Sequence, residues 1–277
     1  MDLKLLDLFS GIGGFSYAAE KIVGGYKTTQ FVEIDPYCQS VLRKNFPNTP
    51  IHDDIKTFSA KQGQFDVFTI GFPCQDLSVA GKQRGINDQT RSGLFYESIR
   101  LLREVRPRFA LFENVRNLLS HKKGETFQEV LFQIAKTGNY EIEWAVVSAK
   151  DLGACHLRQR IWILAYANGY GSPSTERLRV NGEADSSTQE GQNKISKFKG
   201  SSKSSDSRII QHTSKWKNSK HRLNSDWRGY ASKPTLRRGD DGLSNRISRI
   251  RSLGNSIVPH CAAVPLQRIK DLSKELC

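Results

Sequence analysis

The stretch Leu3-Lys4-Leu5-Leu6-Asp7-Leu8-Phe9-Ser10-Gly11-Ile12-Gly13-Gly14 decides the fold of this chain. Its first seven residues form an apolar run typical of a buried strand, and the glycines that follow permit a tight turn. Residues 15–23 then have helical spacing. A strand, a Gly-rich turn and a helix start make up the first half of a βαβ unit. A lone Gly-x-Gly also occurs in many ordinary turns, and this one lacks the third glycine of the dinucleotide-binding fingerprint.

The alternation of strand-like and helix-like patterns continues to about residue 165. Strands that alternate with helices indicate a βαβ series, so we expect an α/β fold with a Rossmann-like, mostly parallel sheet and helices on both faces. Further strands are predicted over 28–34, 49–52, 65–70, 109–112, 141–148 and 161–165, and helices from Pro36, over 94–105 and over 126–136.

The composition changes at about Asn168. From there to about Gly242 the chain is rich in Ser, Lys, Asn, Gly and Arg without sustained periodicity, which favours loops. Order is expected to return at Ser252, with a closing helix over 262–272. The composition therefore divides the chain into an ordered part over 1–168, a small inserted, loop-rich segment over 169–241, and a second ordered part over 242–277.

The net charge of +14 is concentrated in one segment. Residues 170–253 hold 18 Lys and Arg against 8 Asp and Glu, whereas residues 1–169 hold 21 against 18. Such a segment is typical of a polyanion binder, although a solvated linker has the same composition. Its rings Trp216, Trp227 and Tyr230 could stack on bases, but core packing is the expected role of each.

The five cysteines, at 38, 74, 155, 261 and 277, are widely spread. They form neither a metal-ligand pair nor a disulfide frame, so we expect reduced thiols in a cytoplasmic, metal-free protein. The N-terminal residues enter a strand-like run without a signal-peptide pattern, and no apolar run approaches membrane-spanning length. We expect a monomer that does not associate with membranes.

One cysteine is placed for chemistry. The apolar run Phe65–Ile70 ends at Gly71-Phe72-Pro73-Cys74-Gln75, so Cys74 lies just past the end of a predicted strand. Ligands of open α/β sheets bind at that edge. A cysteine kept for packing would more often lie inside the apolar run, which favours Cys74 as a nucleophile.

Two acids are placed to bind a nucleoside. Glu33 ends the second predicted strand about 20 residues after the Gly-rich turn, where an acid can hydrogen-bond both ribose hydroxyls. Asp54 follows the third predicted strand and could accept a bond from an adenine amino group. Either acid taken alone is better explained as a helix N-cap or first-turn carboxylate, but the ordered set favours a nucleoside site.

The ordered motifs resemble those of the C5-cytosine DNA methyltransferases, which use S-adenosylmethionine. The matching stretches cover roughly residues 3–165 and 240–265, and the most specific are the Pro-Cys-Gln and Glu-Asn-Val motifs in that order. The matching stretches are Asp7–Phe15, Glu33-Ile34-Asp35, Asp54-Ile55, Gly71–Gln75, Glu113-Asn114-Val115, Arg158-Gln159-Arg160 and Gly254–Pro259.

The resemblance implies an S-adenosylmethionine site and its residues. In it Phe9 stacks on the adenine, Glu33 holds the ribose, and Asp54 with Ile55 contacts the adenine edge. The Gly-rich turn closes around the amino-acid part. The full implied set is Phe9, Ser10, Gly11, Gly13, Glu33, Ile34, Asp54, Ile55, Phe72, Leu94, Asn255 and Ser256.

The resemblance also implies the chemistry: Cys74 adds to C6 of a cytosine flipped out of duplex DNA, and Glu113 contacts or protonates N3. Arg160 contacts O2 of the base, and Arg158 orients the cysteine loop. The two arginines are two residues apart on a predicted strand and should face one way, although surface ion pairing explains such arginines equally well out of context.

Two segments complete the expected DNA site. Residues 76–92 are predicted to be a mobile loop that closes over DNA, with a plain surface loop as the alternative. The resemblance also implies that residues 1–168 form the catalytic, S-adenosylmethionine-binding domain, to which the chain returns over 242–277. The inserted residues 169–241 would be the small basic target-recognition domain. The chain departs from the family pattern at His156, where Gln is usual, and in the short motif over 241–251.

The motifs favour an active DNA methyltransferase of the kind found in restriction-modification systems. A tRNA cytosine methyltransferase on the same scaffold typically carries Cys-Phe-Thr, and none of the five cysteines here precedes Phe. A non-catalytic nucleic-acid-binding module would not need Cys74, Glu113 and Arg160 together.

Overall fold

A computed structural model describes residues 1–73, 92–138, 140–167, 210–212, 216 and 246–274. The described strands form one sheet in the order β3-β2-β1-β4-β5-β7-β6-β8. They are β1 (Leu3–Leu8), β2 (Tyr26–Val32), β3 (Ile51–His52), β4 (Val67–Ile70), β5 (Phe109–Val115), β6 (Tyr140–Ser148), β7 (Gln159–Ala167) and β8 (Ile210–His212).

The first four helices lie between these strands along the chain, and the last two follow β8. The first begins as α1 (Gly14–Tyr17) and continues as a π-helix over Ala18–Val23. The others are α2 (Pro36–Asn45), α3 (Ser92–Val105), α4 (Glu125–Thr137), α5 (Arg246–Asn255) and α6 (Pro259–Lys274), with short 3-10 turns over Arg116–Leu119, His121–Gly124 and Lys150–Leu152.

Strand β7 alone runs against the rest of the described sheet. Strands β1 to β5 pair in parallel, β7 is antiparallel to its neighbours β5 and β6, and β8 is parallel to β6. Strand β7 follows β6 directly and inserts between β6 and β5, so it must reverse direction. The predicted α/β, mostly parallel sheet is confirmed.

Two hydrophobic cores cover the two faces of the sheet. Leu6 and Leu8 of β1 pack in one core with side chains of α3 and α4. Leu5, whose side chain points the opposite way, packs in the other core with α1 and α6. The edge of Phe15 meets Trp162 in this second core, with ring centroids 5.8 Å apart. Helices therefore lie on both faces, as predicted.

The C-terminal helices return the chain to its beginning. The hydroxyl of Tyr26 donates to the carbonyl of Leu266, and Lys270 Nζ donates to the carbonyls of Val23 and Gly24. Among the described residues, helix α5 is already present at residue 246, ahead of Ser252, where order was predicted to return. The helix contacts distant residues, since Cys38 Sγ lies 3.5 Å from Ser252 Oγ and Arg158 donates to the Gly254 carbonyl.

Part of the basic segment joins the main sheet. Residues 210–212 pair with β6 as strand β8, and Trp216 is buried at 5% exposure in the core that holds α1 and α6. Core packing of Trp216 is thus confirmed, whereas Trp227 and Tyr230 lie outside the described residues. The predicted domain boundaries stay predictions.

The described residues lack two kinds of feature. No helix there combines the length and apolarity needed to span a membrane. Within the same residues, three or more His, Cys, Asp or Glu side chains do not come together as a metal site.

Candidate active site

The predicted site residues converge on the carboxyl ends of four parallel strands. The Gly-rich turn follows β1, Glu33 follows β2, Gly71–Pro73 follows β4, and Glu113 lies near the end of β5. Because neighbouring parallel strands end at the same edge of a sheet, these segments share one edge, where ligands of such sheets bind.

The turn after β1 has an unusual backbone. Phe9 and Gly11 have φ of 56° and 54°, in the left-handed region that residues other than glycine rarely adopt. At Gly13, a Cβ would lie 2.8 Å from the ring of Phe46, so only glycine fits. A Cβ at Gly11 would meet nothing within 4 Å, so the turn is open on that side.

Glu33 supports this turn from β2. Its Oε2 accepts the Gly11 N–H at 2.7 Å and its Oε1 accepts the Asp35 N–H at 2.8 Å. Burial raises the pKa of Glu33, against the lowering effect of these backbone donors. Asp35, not Glu33, caps α2 by accepting the N–H groups of Tyr37 and Cys38. The helix-cap explanation for Glu33 is therefore wrong.

The second predicted acid is itself part of a turn. Asp54 Oδ1 accepts the Lys56 N–H at 2.9 Å, and the Asp54 carbonyl accepts the N–H of Thr57 at 3.2 Å. Ile55 beside it is buried, whereas Ile34 is 70% exposed at the end of β2. An exposed isoleucine next to buried Glu33 offers an apolar surface at this edge.

Sequence reasoning missed Asp7. This residue is fully buried inside β1, where Oδ2 accepts the Ser16 hydroxyl at 2.7 Å and Oδ1 accepts the Thr69 hydroxyl at 2.9 Å. The N-cap of α1 is Gly13, which has no side chain to cap the helix, and Asp7 also accepts from the Ser16 backbone. Asp7 thus joins β1, β4 and the helix behind the Gly-rich turn. The available signal was a carboxylate inside an apolar run.

Replacing Asp7 with asparagine is expected to change how stability depends on pH. Burial raises the Asp7 pKa from 3.8 to about 7. Between these values the folded state holds a proton that the unfolded state has released, so the free energy of unfolding of the wild type falls as pH rises. Asp7→Asn lacks this loss and should gain stability relative to the wild type up to about pH 7. Urea unfolding at several pH values across this range measures the difference, and Asp53→Asn is the control at an exposed position. If the free energy of unfolding of Asp7→Asn changed with pH in parallel with that of the wild type, the prediction would be wrong.

The loop after β4 is held by the neighbouring strand. Phe72 is buried, and its ring centroid lies 5.0 Å from that of Phe95 on α3. Its carbonyl accepts a bond from Asn114 Nδ2 at 3.0 Å, while Asn114 Oδ1 accepts the Val115 N–H at 2.8 Å. Asn114 belongs to the Glu-Asn-Val motif, but the sequence did not predict it as a site residue. It fixes the backbone just before Pro73.

Leu94, a predicted cofactor residue, is half-buried on α3 against the same core as Phe72. Cys74 and the predicted mobile loop up to residue 91 lie outside the described residues. The structure therefore defines the approach to Cys74 but not its thiol.

Glu113 and Arg160 form an ion pair across β5 and β7. Arg160 Nε lies 2.9 Å from Glu113 Oε1, and the side chains are 22% and 13% exposed. Burial raises the pKa of Glu113, and the positive charges of Arg160 and Arg158 counteract part of that rise. Glu113 is thus a shielded carboxyl group with a proton affinity above the ordinary value, as a general acid requires.

Arg158 does not lie on the strand with Arg160, so that prediction was wrong. It precedes β7 with a φ of 26°, and Nη2 donates to the carbonyls of Gly254, at 2.9 Å, and of Ser256. Burial, followed by the charge of Arg160, lowers the pKa of Arg158. The arginine binds the C-terminal motif, a partner that strand periodicity could not reveal.

The C-terminal motif reaches the Gly-rich turn. A Cβ on Gly14 would lie 3.2 Å from Ile257 Cβ, and one on Gly71 would lie 3.8 Å from Ile257 Cδ1. Asn255 is exposed at the end of α5, and the Ser256 hydroxyl donates to the Leu253 carbonyl. Three segments distant in sequence therefore meet at one edge of the sheet.

The chain is similar to proteins of one known family. A family model described as C-5 cytosine-specific DNA methylase matches residues 3–270. The Type II methyltransferase M.DsaV of Dactylococcopsis salina is 37% identical over 164 residues, 59% of this chain and 46% of that protein. M.HhaI of Haemophilus parahaemolyticus, also a Type II methyltransferase, is 35% identical over 166 residues, 60% and 50% of the two chains. The chain thus spans about half the length of these relatives.

A solved structure shares the fold. The crystal structure of S. pombe Dnmt2 methyltransferase superposes with a TM-score of 0.52 at 24% identity, covering 61% of this chain and 52% of that one. At this identity the likeness supports the fold alone.

Proposed function

This chain belongs to the C-5 cytosine-specific DNA methylase family, and on that premise we propose that it transfers a methyl group from S-adenosylmethionine to C5 of a flipped-out cytosine in duplex DNA. The observation that carries the proposal is the pairing of two motifs. Asn114 binds the carbonyl of Phe72, two residues before Cys74, while the adjacent Glu113 is buried against Arg160. The segment that leads to the candidate nucleophile is thereby held at the strand end that carries the candidate acid.

The residues at the Gly-rich turn fit S-adenosylmethionine. The turn is open at Gly11, a buried carboxyl group lies beneath it at Glu33, and an apolar surface is exposed at Ile34. Phe9 and Ile34 would contact the adenine, Glu33 the ribose hydroxyls, and Asp54 with the Ile55 backbone the adenine edge. The remaining members of the proposed site are Ser10, Gly13, Phe72, Leu94, Asn255 and Ser256.

The reaction would start at C6 of the cytosine. The Cys74 thiolate forms a bond to C6 while the C5–C6 π electrons move toward N3, where a proton from Glu113 neutralises them. S-adenosylmethionine, when bound, supplies an electrophilic methyl group for C5. As C5 bonds to the methyl group, the methyl–sulfur bond breaks and the neutral thioether product leaves. Water then accepts the C5 proton, the electron pair of that C–H bond re-forms the C5–C6 double bond and expels Cys74 as a thiolate, and N3 returns its proton to Glu113. Arg160 would hold O2 of the base and Arg158 the C-terminal motif.

Duplex DNA is the proposed substrate because the rim of the site is basic. The chain leaves β5 through Arg116, which donates to Gln159 beside Arg160, and then reaches Lys122 and Lys123. Both lysines are exposed and have left-handed backbones, with φ of 49° and 57°. Two consecutive residues in this region carry backbone strain, which proteins often retain at functional sites. We assign both lysines to DNA phosphates.

Neutralising these lysines tests that assignment. The double variant Lys122→Gln/Lys123→Gln should bind duplex DNA more weakly, and the slope of log K against log salt should decrease by about 2, near 0.9 per phosphate contact. The matched control is Lys27→Gln/Lys136→Gln, which removes the same charge at the opposite edge of the sheet. Equal slopes for the two double variants would refute the assignment.

The whole proposal is tested by transfer of a labelled methyl group. Purified protein should methylate duplex DNA but not tRNA, and bisulfite sequencing of DNA from expressing cells should place 5-methylcytosine in one sequence context. Labelling of tRNA alone would move the substrate to RNA. Absence of labelling in both would leave a nucleic-acid-binding module.

A further inference from the structure

A buried ionic cluster joins three distant parts of the chain. Glu143 on β6 is 8% exposed, and its Oε1 accepts from Arg268 Nη2 at 3.0 Å and from the Tyr166 hydroxyl at 3.3 Å. Its Oε2 accepts from Arg268 Nε and from Trp216 Nε1, each at 3.3 Å. Arg268 thus binds Glu143 through two nitrogens, the geometry that gives such pairs directional specificity.

The donors come from different elements. Arg268 belongs to α6, Tyr166 to β7 and Trp216 to the basic segment. Burial, and next the charge of Glu143, raises the pKa of Tyr166, which keeps its hydroxyl protonated as a donor. A buried carboxylate is tolerated only when such donors are in place, so the cluster specifies how these elements pack.

The basic segment contacts β6 at the same place through its backbone. Strand β8 pairs in parallel with β6, and Gln211 is aligned with Glu143 itself. The basic segment therefore contacts Glu143 in two ways: β8 pairs with the strand that carries Glu143, and the indole N–H of Trp216 donates to its side chain. Helix α6, which supplies Arg268, begins only three residues after Ser256, the residue whose carbonyl binds Arg158.

We propose that Glu143, Arg268 and Trp216 form an anchor that fixes the basic segment 169–241 to the catalytic sheet and so positions it on DNA. The inference rests on the proposed function and on the role in reading duplex DNA that the family resemblance implies for this segment. These are positioning residues, because none of the three belongs to the proposed cofactor site or to the proposed base site. Loss of the anchor should weaken productive DNA binding without changing the chemical step.

The test uses two variants of the full chain and one control. Glu143→Gln removes the charge, and Trp216→Phe keeps a ring but removes the N–H donor. The control Trp144→Phe alters the adjacent residue of β6, whose ring packs on Phe127 on the other face, 5.1 Å between centroids. For Glu143→Gln, KM for duplex DNA should rise about tenfold, the effect of one charge-assisted hydrogen bond, while kcat and the Kd for S-adenosylmethionine stay unchanged.

A second readout requires no DNA. Trypsin should cleave within residues 169–241 faster in Glu143→Gln and Trp216→Phe than in the wild type or Trp144→Phe. If the wild type methylates no DNA but this difference in cleavage appears, the proposed function fails and the anchor stands. If the wild type methylates DNA and both variants match the control in KM and in cleavage, the anchor is refuted.

Discussion

Replacing Cys74 with alanine is expected to abolish methyl transfer to duplex DNA, with a loss of at least ~10⁴-fold, as for other covalent nucleophiles. Without the thiolate, C5 of cytosine stays too weakly nucleophilic to accept a methyl group. Duplex DNA containing 5-fluorocytosine should trap the wild type as a denaturation-resistant adduct when S-adenosylmethionine is present. With fluorine at C5 there is no C5 proton to lose, so Cys74 cannot be expelled. Cys74→Ala should form no adduct.

The matched control for Cys74 is Cys155→Ala. Cys155 is an exposed free cysteine between β6 and β7, so its removal tests whether any accessible thiol accounts for the adduct. It should keep both activity and adduct formation. An adduct formed by Cys74→Ala would refute the covalent mechanism, whereas binding of S-adenosylmethionine by both variants would show that the Gly-rich turn is intact.

Replacing Glu113 with glutamine is expected to lower kcat by ~10²–10⁴-fold, the usual contribution of a positioned general acid. Glutamine has nearly the same shape but cannot give a proton to N3. The pH dependence should change as well. Burial raises the pKa of Glu113, so wild-type kcat should fall as pH rises through that value, and the variant should lose this alkaline limb. Activity that depends on the Cys74 thiolate changes in the opposite direction, rising with pH.

A control separates chemistry from packing at Glu113. Glu104→Gln makes the same chemical change at an exposed carboxylate, which pairs with Arg100 on α3 at 2.9 Å. It should leave the pH profile unchanged. Because Glu113→Gln also leaves Arg160 without its charged partner, thermal unfolding should accompany the kinetics. A wild-type pH profile in a folded Glu113→Gln protein would rule out Glu113 as the acid.

The family and the fold class were accessible from short stretches. Apolar runs of four to seven residues place β1, β4 and β5, and the glycines after β1 identify the turn, because these signals arise from neighbouring residues in the chain. The resemblance drawn from the ordered motifs is confirmed by the match over residues 3–270. The roles assigned to individual residues, Cys74 among them, remain predictions.

Other features depend on contacts between distant residues. Periodicity put Arg158 on a strand, yet its guanidinium binds carbonyls 96 and 98 residues away, and the φ of 26° takes it off the strand. Glu33 could be a ribose ligand or a helix cap, and only the fold showed that Asp35 caps α2 while Glu33 accepts the Gly11 N–H. Such partners leave no local pattern, because packing brings them together.

The sequence by itself determined the βα alternation, the Gly-rich turn and the order of the motifs, since each depends on local propensity and spacing. Only the tertiary structure decided that Asp7 supports α1, that Asn114 holds the approach to Cys74, and that Trp216 reaches Glu143. The physical reason is burial. A buried polar group must find a partner wherever the fold offers one, and the separation in sequence does not restrict that choice.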